Sequence, residues 1–166
     1  MINVIVAITA DNAIGQNNQL IHHDPIDMKR FRDLTTNHVV IMGRKTYDSL
    51  PNGPLPNRVN YIVSNTLLGD FTIFSNLKSA ISSAQTNYPD KEVFIIGGES
   101  IYRQAFEADL VDRAYITHFD CLAPKADAYF PFSYITDWKS LWVDDYITSL
   151  TPTCGVTMEF SIWTKL

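Results

Sequence analysis

The sequence predicts an α/β fold: a mostly parallel central β-sheet, helices on both faces, and an antiparallel C-terminal hairpin at one edge. Three observations carry this. Short apolar, β-branched runs at Ile2–Thr9, Val39–Met42, Val59–Val63 and Val93–Ile96 read as strands buried on both faces. Helical periodicities fall between several of these runs, which sets neighbouring strands parallel. The last third, Trp138–Ile147 and Val156–Trp163, instead alternates apolar and polar residues, as a hairpin with one solvated face does.

Taken in order, Ile2–Thr9 is a central strand. Ala10–Asp24 is polar and without sustained periodicity, a long loop of the kind that is usually functional. Asp24-Pro25 opens a helix, with Asp24 as its cap and proline at the first helical position. Met28, Phe31 and Leu34 form the inward stripe of that helix, and Lys29, Arg30, Arg32 and Asp33 a solvated face. Gly43-Arg44-Lys45-Thr46 opens a short helix after the second strand. Pro51–Asn57 is turn-rich, Phe71–Phe74 a short strand, Leu77–Thr86 a helix and Arg113–Phe119 a further strand. The 166 residues read as a single domain with no repeat or linker.

Composition narrows the function classes. An apolar content of 46% with 19% charged residues belongs to a globular chain rather than a disordered one. A formal charge of −5 gives no global attraction for nucleic acid or an anionic membrane, so an anionic ligand needs local cations and backbone N–H groups. The Val4–Ile8 run is too short to span a bilayer and follows no basic leader. Cys121 and Cys154 make neither a disulfide framework nor a metal spacing, and the histidines at 22, 23, 38 and 118 lack zinc-site spacing. These features point to a reduced, cytoplasmic protein without a metal.

Four motifs carry chemistry. In Val93–Tyr102 a buried strand runs into Gly97-Gly98 and then a helix, where backbone can approach a phosphate closely. Alone, that is also an ordinary strand-to-helix turn. Asp27 lies on the inward face of its helix, four residues before Phe31, where a carboxylate is out of place unless it meets a ligand. It also suits the positive helix end as a first-turn acid. Gly43-Arg44-Lys45-Thr46 offers two cations, a hydroxyl and a helix start to a phosphate, or else is a solvated basic pair. It is not a P-loop, and no dinucleotide-binding glycine fingerprint follows the first strand. Arg58, after Pro54-Leu55-Pro56, could fork onto a carboxylate or stand at a strand edge in water.

The order and spacing of these pieces closely resemble dihydrofolate reductase over essentially the whole chain. The matching segments are Ile5-Val6-Ala7, Ala13-Ile14-Gly15, Pro25-x-Asp27-Met28-x-x-Phe31, Ile41–Thr46, Pro54-Leu55-Pro56-x-Arg58, Val93–Tyr102 and Tyr115-Ile116-Thr117-His118. The resemblance implies reduction of 7,8-dihydrofolate to tetrahydrofolate by hydride transfer from NADPH, in a monomer that antifolates would inhibit. It implies that Asp27 promotes pterin protonation with Thr117 as its hydroxyl partner. Ile5, Val6, Met28, Phe31, Leu50, Leu55, Ile96 and Tyr102 would surround the substrate, and Arg58 would grip its α-carboxylate. Ala7, Ile14 and Gly15 would meet the nicotinamide. Gly43, Arg44, Lys45, Thr46, Ser49, Val63, Ser64 and Asn65 would hold the adenosine phosphates, with Gly97, Gly98, Glu99, Ser100, Ile101, Tyr102 and Gln104 at the pyrophosphate.

One stretch departs from the pattern. Where the family typically reads Pro-Trp, a polar residue and Leu, this chain reads Ile21-His22-His23-Asp24. His22 is expected to take over the lost tryptophan's hydrogen bond beside the acid, with a charge that changes near neutral pH. The basic residue often found before the Pro-Leu-Pro turn is Asn52-Gly53 here. Such changes suit a divergent or drug-insensitive enzyme. Two alternatives stand beside this reading: a folate- or nucleotide-binding protein of weakened catalysis, and an NADPH-dependent pyrimidine reductase of riboflavin synthesis. The latter would not be expected to carry Asp27 and Arg58 at these positions.

Overall fold

The computed structural model describes residues 1–66, 72–151 and 154–165, with main chain only over 142–151 and 154–156. Strands are β1 (Ile2–Thr9), β2 (Ala13–Gln16), β3 (Gln19–Leu20), β4 (Val39–Gly43), β5 (Val59–Val63), β6 (Ile73–Phe74), β7 (Val93–Ile95), β8 (Arg113–Phe119), β9 (Ala128–Tyr129), β10 (Lys139–Thr151) and β11 (Cys154–Thr164). Helices are α1 (Pro25–Thr35), α2 (Arg44–Asp48), α3 (Leu77–Asn87) and α4 (Glu99–Glu107), with a 3₁₀ turn at Phe132–Ile135.

The main sheet runs β10-β11-β8-β1-β7-β4-β5-β6. From β8 to β6 every pairing is parallel, while β11 pairs antiparallel with β8 and with β10. This is the expected mostly parallel sheet with an antiparallel edge. Val4, Val39, Val40, Ile41 and Ile95 are fully buried, because helices cover both faces. One face packs with α3 and α4 through Leu77, Ala80, Ile81, Ile101, Ala105 and Phe106. The other gathers Ile5, Val40, Met42, Ile62, Phe94 and Tyr115 under Phe31 and Leu34 of α1.

Local signals set several boundaries. Asp24 caps α1, its Oδ1 accepting from the N–H groups of Ile26 at 2.8 Å and Asp27 at 3.1 Å, with Pro25 next in line. Asn76 caps α3 in the same way, accepting from the Ser79 N–H.

Three expectations change. Ala10–Asp24 is not a structureless loop: β2 pairs with β3 and with β9, forming a small antiparallel sheet. Met28 does not complete the buried stripe of α1 and remains 42% exposed. The strand expected over 71–74 is seen as Ile73–Phe74, position 71 lying outside the described residues.

Candidate active site

Asp27 and Thr117 come together across 90 residues of sequence. The Thr117 hydroxyl donates to Asp27 Oδ1 at 2.6 Å. The helix cap fixes where α1 begins and so aims Asp27, in its first turn, at β8. Thr117 lies two residues beyond Tyr115 on β8, and therefore on the sheet face covered by α1. Burial pushes the Asp27 carboxyl above its ordinary value. The Thr117 hydrogen bond works against burial, Asp24 adds to it, and Arg30 opposes it.

The same face holds five of the residues expected at the substrate. Ile5 is buried in its core, and Phe31, Leu50, Leu55 and Ile96 pack against that core while staying partly open. The Val6 and Tyr102 side chains lie away from this face. The strand alternation sends the Val6 side chain to the opposite core, and Tyr102 is buried there too. The Tyr102 hydroxyl donates to the Ile5 carbonyl at 2.9 Å, so Tyr102 supports the surface from behind.

Arg58 is held in place before any ligand arrives. Its Nε donates to the Pro56 carbonyl at 2.9 Å and its guanidinium to Thr35 Oγ1 at 3.0 Å, with Cζ 5.9 Å from the Phe31 ring centre. Partial burial and the nearby Arg32 both disfavour its positive charge, a cost that a carboxylate ligand would relieve.

The residues expected at the cofactor phosphates gather at the C-terminal ends of β4, β5 and β7, where ligands bind in open parallel sheets. The Gly43 N–H donates to the Gly97 carbonyl at 2.7 Å, joining the two strand-to-helix turns. A Cβ on Gly97 would sit 3.2 Å from the Tyr102 hydroxyl, at a φ of +118° that side chains rarely adopt. The Gly97-Gly98 peptide is cis. Helix α4 begins at Gly98 without a side-chain cap, leaving its first N–H groups to a phosphate. Arg44 donates to Thr66 Oγ1 at 2.6 Å and lies 3.4 Å from the Asp48 carboxylate, and Ser64 Oγ accepts from the Thr66 N–H. This uncapped turn, with Arg44 and the hydroxyls of Ser64 and Thr66 beside it, fits the phosphate-bearing half of NADPH.

Other residues of the expected cofactor set are engaged within the protein. Glu99 accepts from the Tyr129 N–H at 2.9 Å and pairs with Arg103, tying α4 to β9. Ser49 donates to the Thr46 carbonyl, Gln104 donates to Ser100 Oγ, and Ile101 is buried beneath Gly43. Ala7 packs against Phe119, Met158 and Phe160, and Ile14 belongs to the core beneath α4. The Gly15 carbonyl accepts from the Asp127 N–H at 3.1 Å.

His22 packs beside Cys121 and Phe119. Its Nε2 lies 3.0 Å from Cys121 Sγ and its ring 4.7 Å from that of Phe119, rather than bonded to the Asp27 carboxylate. Burial lowers its pKa, and Nδ1 is enclosed without a hydrogen-bond partner among the described residues. Thr35, Thr66, Phe119 and Cys121 are partners that the sequence reading did not single out. Thr66 was the most accessible of them, since it directly follows Ser64-Asn65.

The family model described as dihydrofolate reductase matches residues 1–163. The chain belongs to the dihydrofolate reductase family. It is 35% identical over 144 residues to the dihydrofolate reductase of Buchnera aphidicola from Acyrthosiphon pisum, covering 85% of this chain and 86% of that one. It is likewise 35% identical to the dihydrofolate reductase of Bacillus subtilis, over 84% of this chain and 80% of that one. The type 9 dihydrofolate reductase of Escherichia coli is 32% identical, with 92% and 98% covered. The reaction of the dihydrofolate reductase family is the reduction of dihydrofolate to tetrahydrofolate with NADPH, and this chain is an oxidoreductase of that kind. Among the described residues no helix is long and apolar enough to cross a membrane.

Proposed function

We propose that residues 1–166 act as one catalytic domain in which Asp27 handles the proton of dihydrofolate reduction, as a cytoplasmic monomer that binds small molecules and neither nucleic acid nor membrane. The observation that carries the proton role is the 2.6 Å bond from Thr117 to a carboxyl whose affinity for protons burial has raised. A carboxylate held by one oxygen keeps the other for the polar edge of a heterocycle. The half-open apolar surface of Phe31, Leu50, Leu55 and Ile96 suits the flat ring. Arg58 suits the α-carboxylate through two parallel N–H groups, and its existing bonds lower the entropy lost on pairing.

When bound, NADPH supplies the hydride. The residues of this chain orient and exclude water. Arg44, Lys45 and Thr46 would receive the adenosine phosphate, and the Gly97-Gly98 turn would admit the pyrophosphate. Asp27, ionised, favours the protonated pterin; protonated, it can pass its proton on.

A spectrophotometric assay with dihydrofolate and NADPH tests the reading. Loss of cofactor absorbance that requires both compounds is the expected result. Tight folate binding without turnover would favour the weakened-binder alternative, and turnover of a pyrimidine instead would favour the riboflavin-pathway reductase.

A further inference from the structure

Asp27 and Arg30 stand one turn apart on α1, and each docks on a different strand. Asp27 meets Thr117 of β8. Arg30 lies over the ring of Phe160 on β11, its Cζ 4.2 Å from the ring centre. Phe160 and Thr117 are register partners across the β8–β11 pair. Directly opposed residues of an antiparallel pair project from the same face, with Cβ atoms about 4.5–5.5 Å apart. The four side chains therefore close a ring: helix neighbours on one side, strand neighbours on the other. Phe160 is 2% exposed, so the guanidinium rests on a desolvated aromatic face, where cation–π attraction is strongest.

Among the described residues few charges face Asp27. Asp24, at the helix cap, is fully buried and repels a second carboxylate. Arg30 attracts it, and from β8 Thr117 donates to it. On β11 the neighbours of Phe160, Glu159 and Ser161, alternate to the opposite face, where Ser161 meets His118 at 2.8 Å. On β1 the residue paired with Thr117 is the apolar Ala7. Toward Asp27, Arg30 thus acts in the opposite sense to Asp24.

We propose that Arg30 is a positioning residue for the reduction: it seats α1 on Phe160 so that Asp27 stays against Thr117, and it sets a cation one helical turn from the carboxylate. The kinetic part of this rests on the proton role given to Asp27; the effect on the carboxylate does not. The test is therefore made first in the ligand-free protein, following the Asp27 carboxyl by carbon NMR across pH. Arg30→Met keeps a side chain over the ring and removes the charge. It should raise the Asp27 midpoint by roughly half a unit or more, about a threefold change in protonated fraction. Arg30→Lys should stay close to the unmodified protein. Phe160→Leu, which removes the seat and keeps the charge, should move the midpoint the same way as Arg30→Met, by less. Folded Arg30→Met with an unchanged midpoint overturns the proposal, as does an equal shift in Arg30→Lys. The acid limb of hydride transfer should follow the NMR midpoint. A midpoint that moves while the kinetics stay fixed would overturn the proton role of Asp27 and support the hold of Arg30 on it.

Discussion

The Thr117 hydroxyl and the Asp27 carboxyl are joined at 2.6 Å, and this bond acts against the burial that surrounds it. Burial favours the neutral acid, and a donor to the carboxylate favours the charged one. Thr117→Val keeps the β-branched shape in β8 and removes the donor. A hydrogen bond to a charged group contributes about 1.5–3 kcal/mol, so the Asp27 midpoint should rise by roughly one to two units. The pH dependence of hydride transfer measures it, and an unmoved acid limb would count against the coupling.

Asp27→Asn should preserve the fold and lower turnover at neutral pH by about 10²–10⁴-fold, with partial recovery in acid as substrate arrives already protonated. Stability gives a second reading. The folded carboxyl binds its proton more tightly than the unfolded one, whose ordinary value is 3.8, so stability falls as pH rises from there through the raised folded value. Asn, which cannot ionise, should therefore melt higher than the unmodified protein at pH 7. The gap should close below about pH 4. Thermal melts at both pH values check the sign.

Arg58→Ala should weaken dihydrofolate binding by about 1.5–3 kcal/mol for each charged hydrogen bond removed, with little effect on a pterin that lacks the glutamate tail. Thr35→Val, which frees the guanidinium from one of its two hydrogen bonds, should do the same more weakly. Binding measured for both ligands separates carboxylate recognition from a general loosening of the site.

Replacing Arg44 and Lys45 together should erode preference for NADPH over NADH, by a few kcal/mol if each makes one charged hydrogen bond to the extra phosphate. The comparison is the ratio of kcat/KM for the two cofactors. Equal use of NADH by the unmodified protein would remove the assignment.

His22 predicts an acid weakness rather than a catalytic one. Its folded pKa is lowered by burial, so as pH falls through the ordinary value of 6.5 the unfolded chain takes up a proton first. Stability should drop over that window, and His22→Phe, which retains a ring against Phe119, should reduce the drop, with the buried His118 supplying a further part of the same sign. Melting temperatures between pH 7 and 5 measure it. The approach of Nε2 to Cys121 implies that Cys121→Ala also alters this dependence.

What the sequence made legible was local. The cap at Asp24-Pro25 and the glycines at 97 and 98 declare themselves within three or four residues, because helix starts and close backbone turns demand particular residue types. The β2–β3–β9 sheet was not legible, since strands of two to four residues have too little period to read. Its third member comes from a segment over 110 positions away. Met28 misled for the opposite reason: helical period marks an apolar face without saying whether protein or ligand covers it. The resemblance supplied Val6 and Tyr102 as substrate residues, while strand parity puts the side chains of Ile5 and Val6 on opposite faces. The packing of His22 was not legible because its neighbours, Phe119 and Cys121, are close only in the folded chain.

The bond from the Gly43 N–H to the Gly97 carbonyl is made entirely by main chain. No exchange of side chains at Arg44, Lys45, Thr46 or Ser100 deletes either of its atoms. The gap between the two turns is thus a fixed gauge, while the groups that line it are free to vary. Mutation can retune which phosphates are welcomed there without redrawing the frame that measures them, and a change of cofactor taste need not cost the molecule its shape.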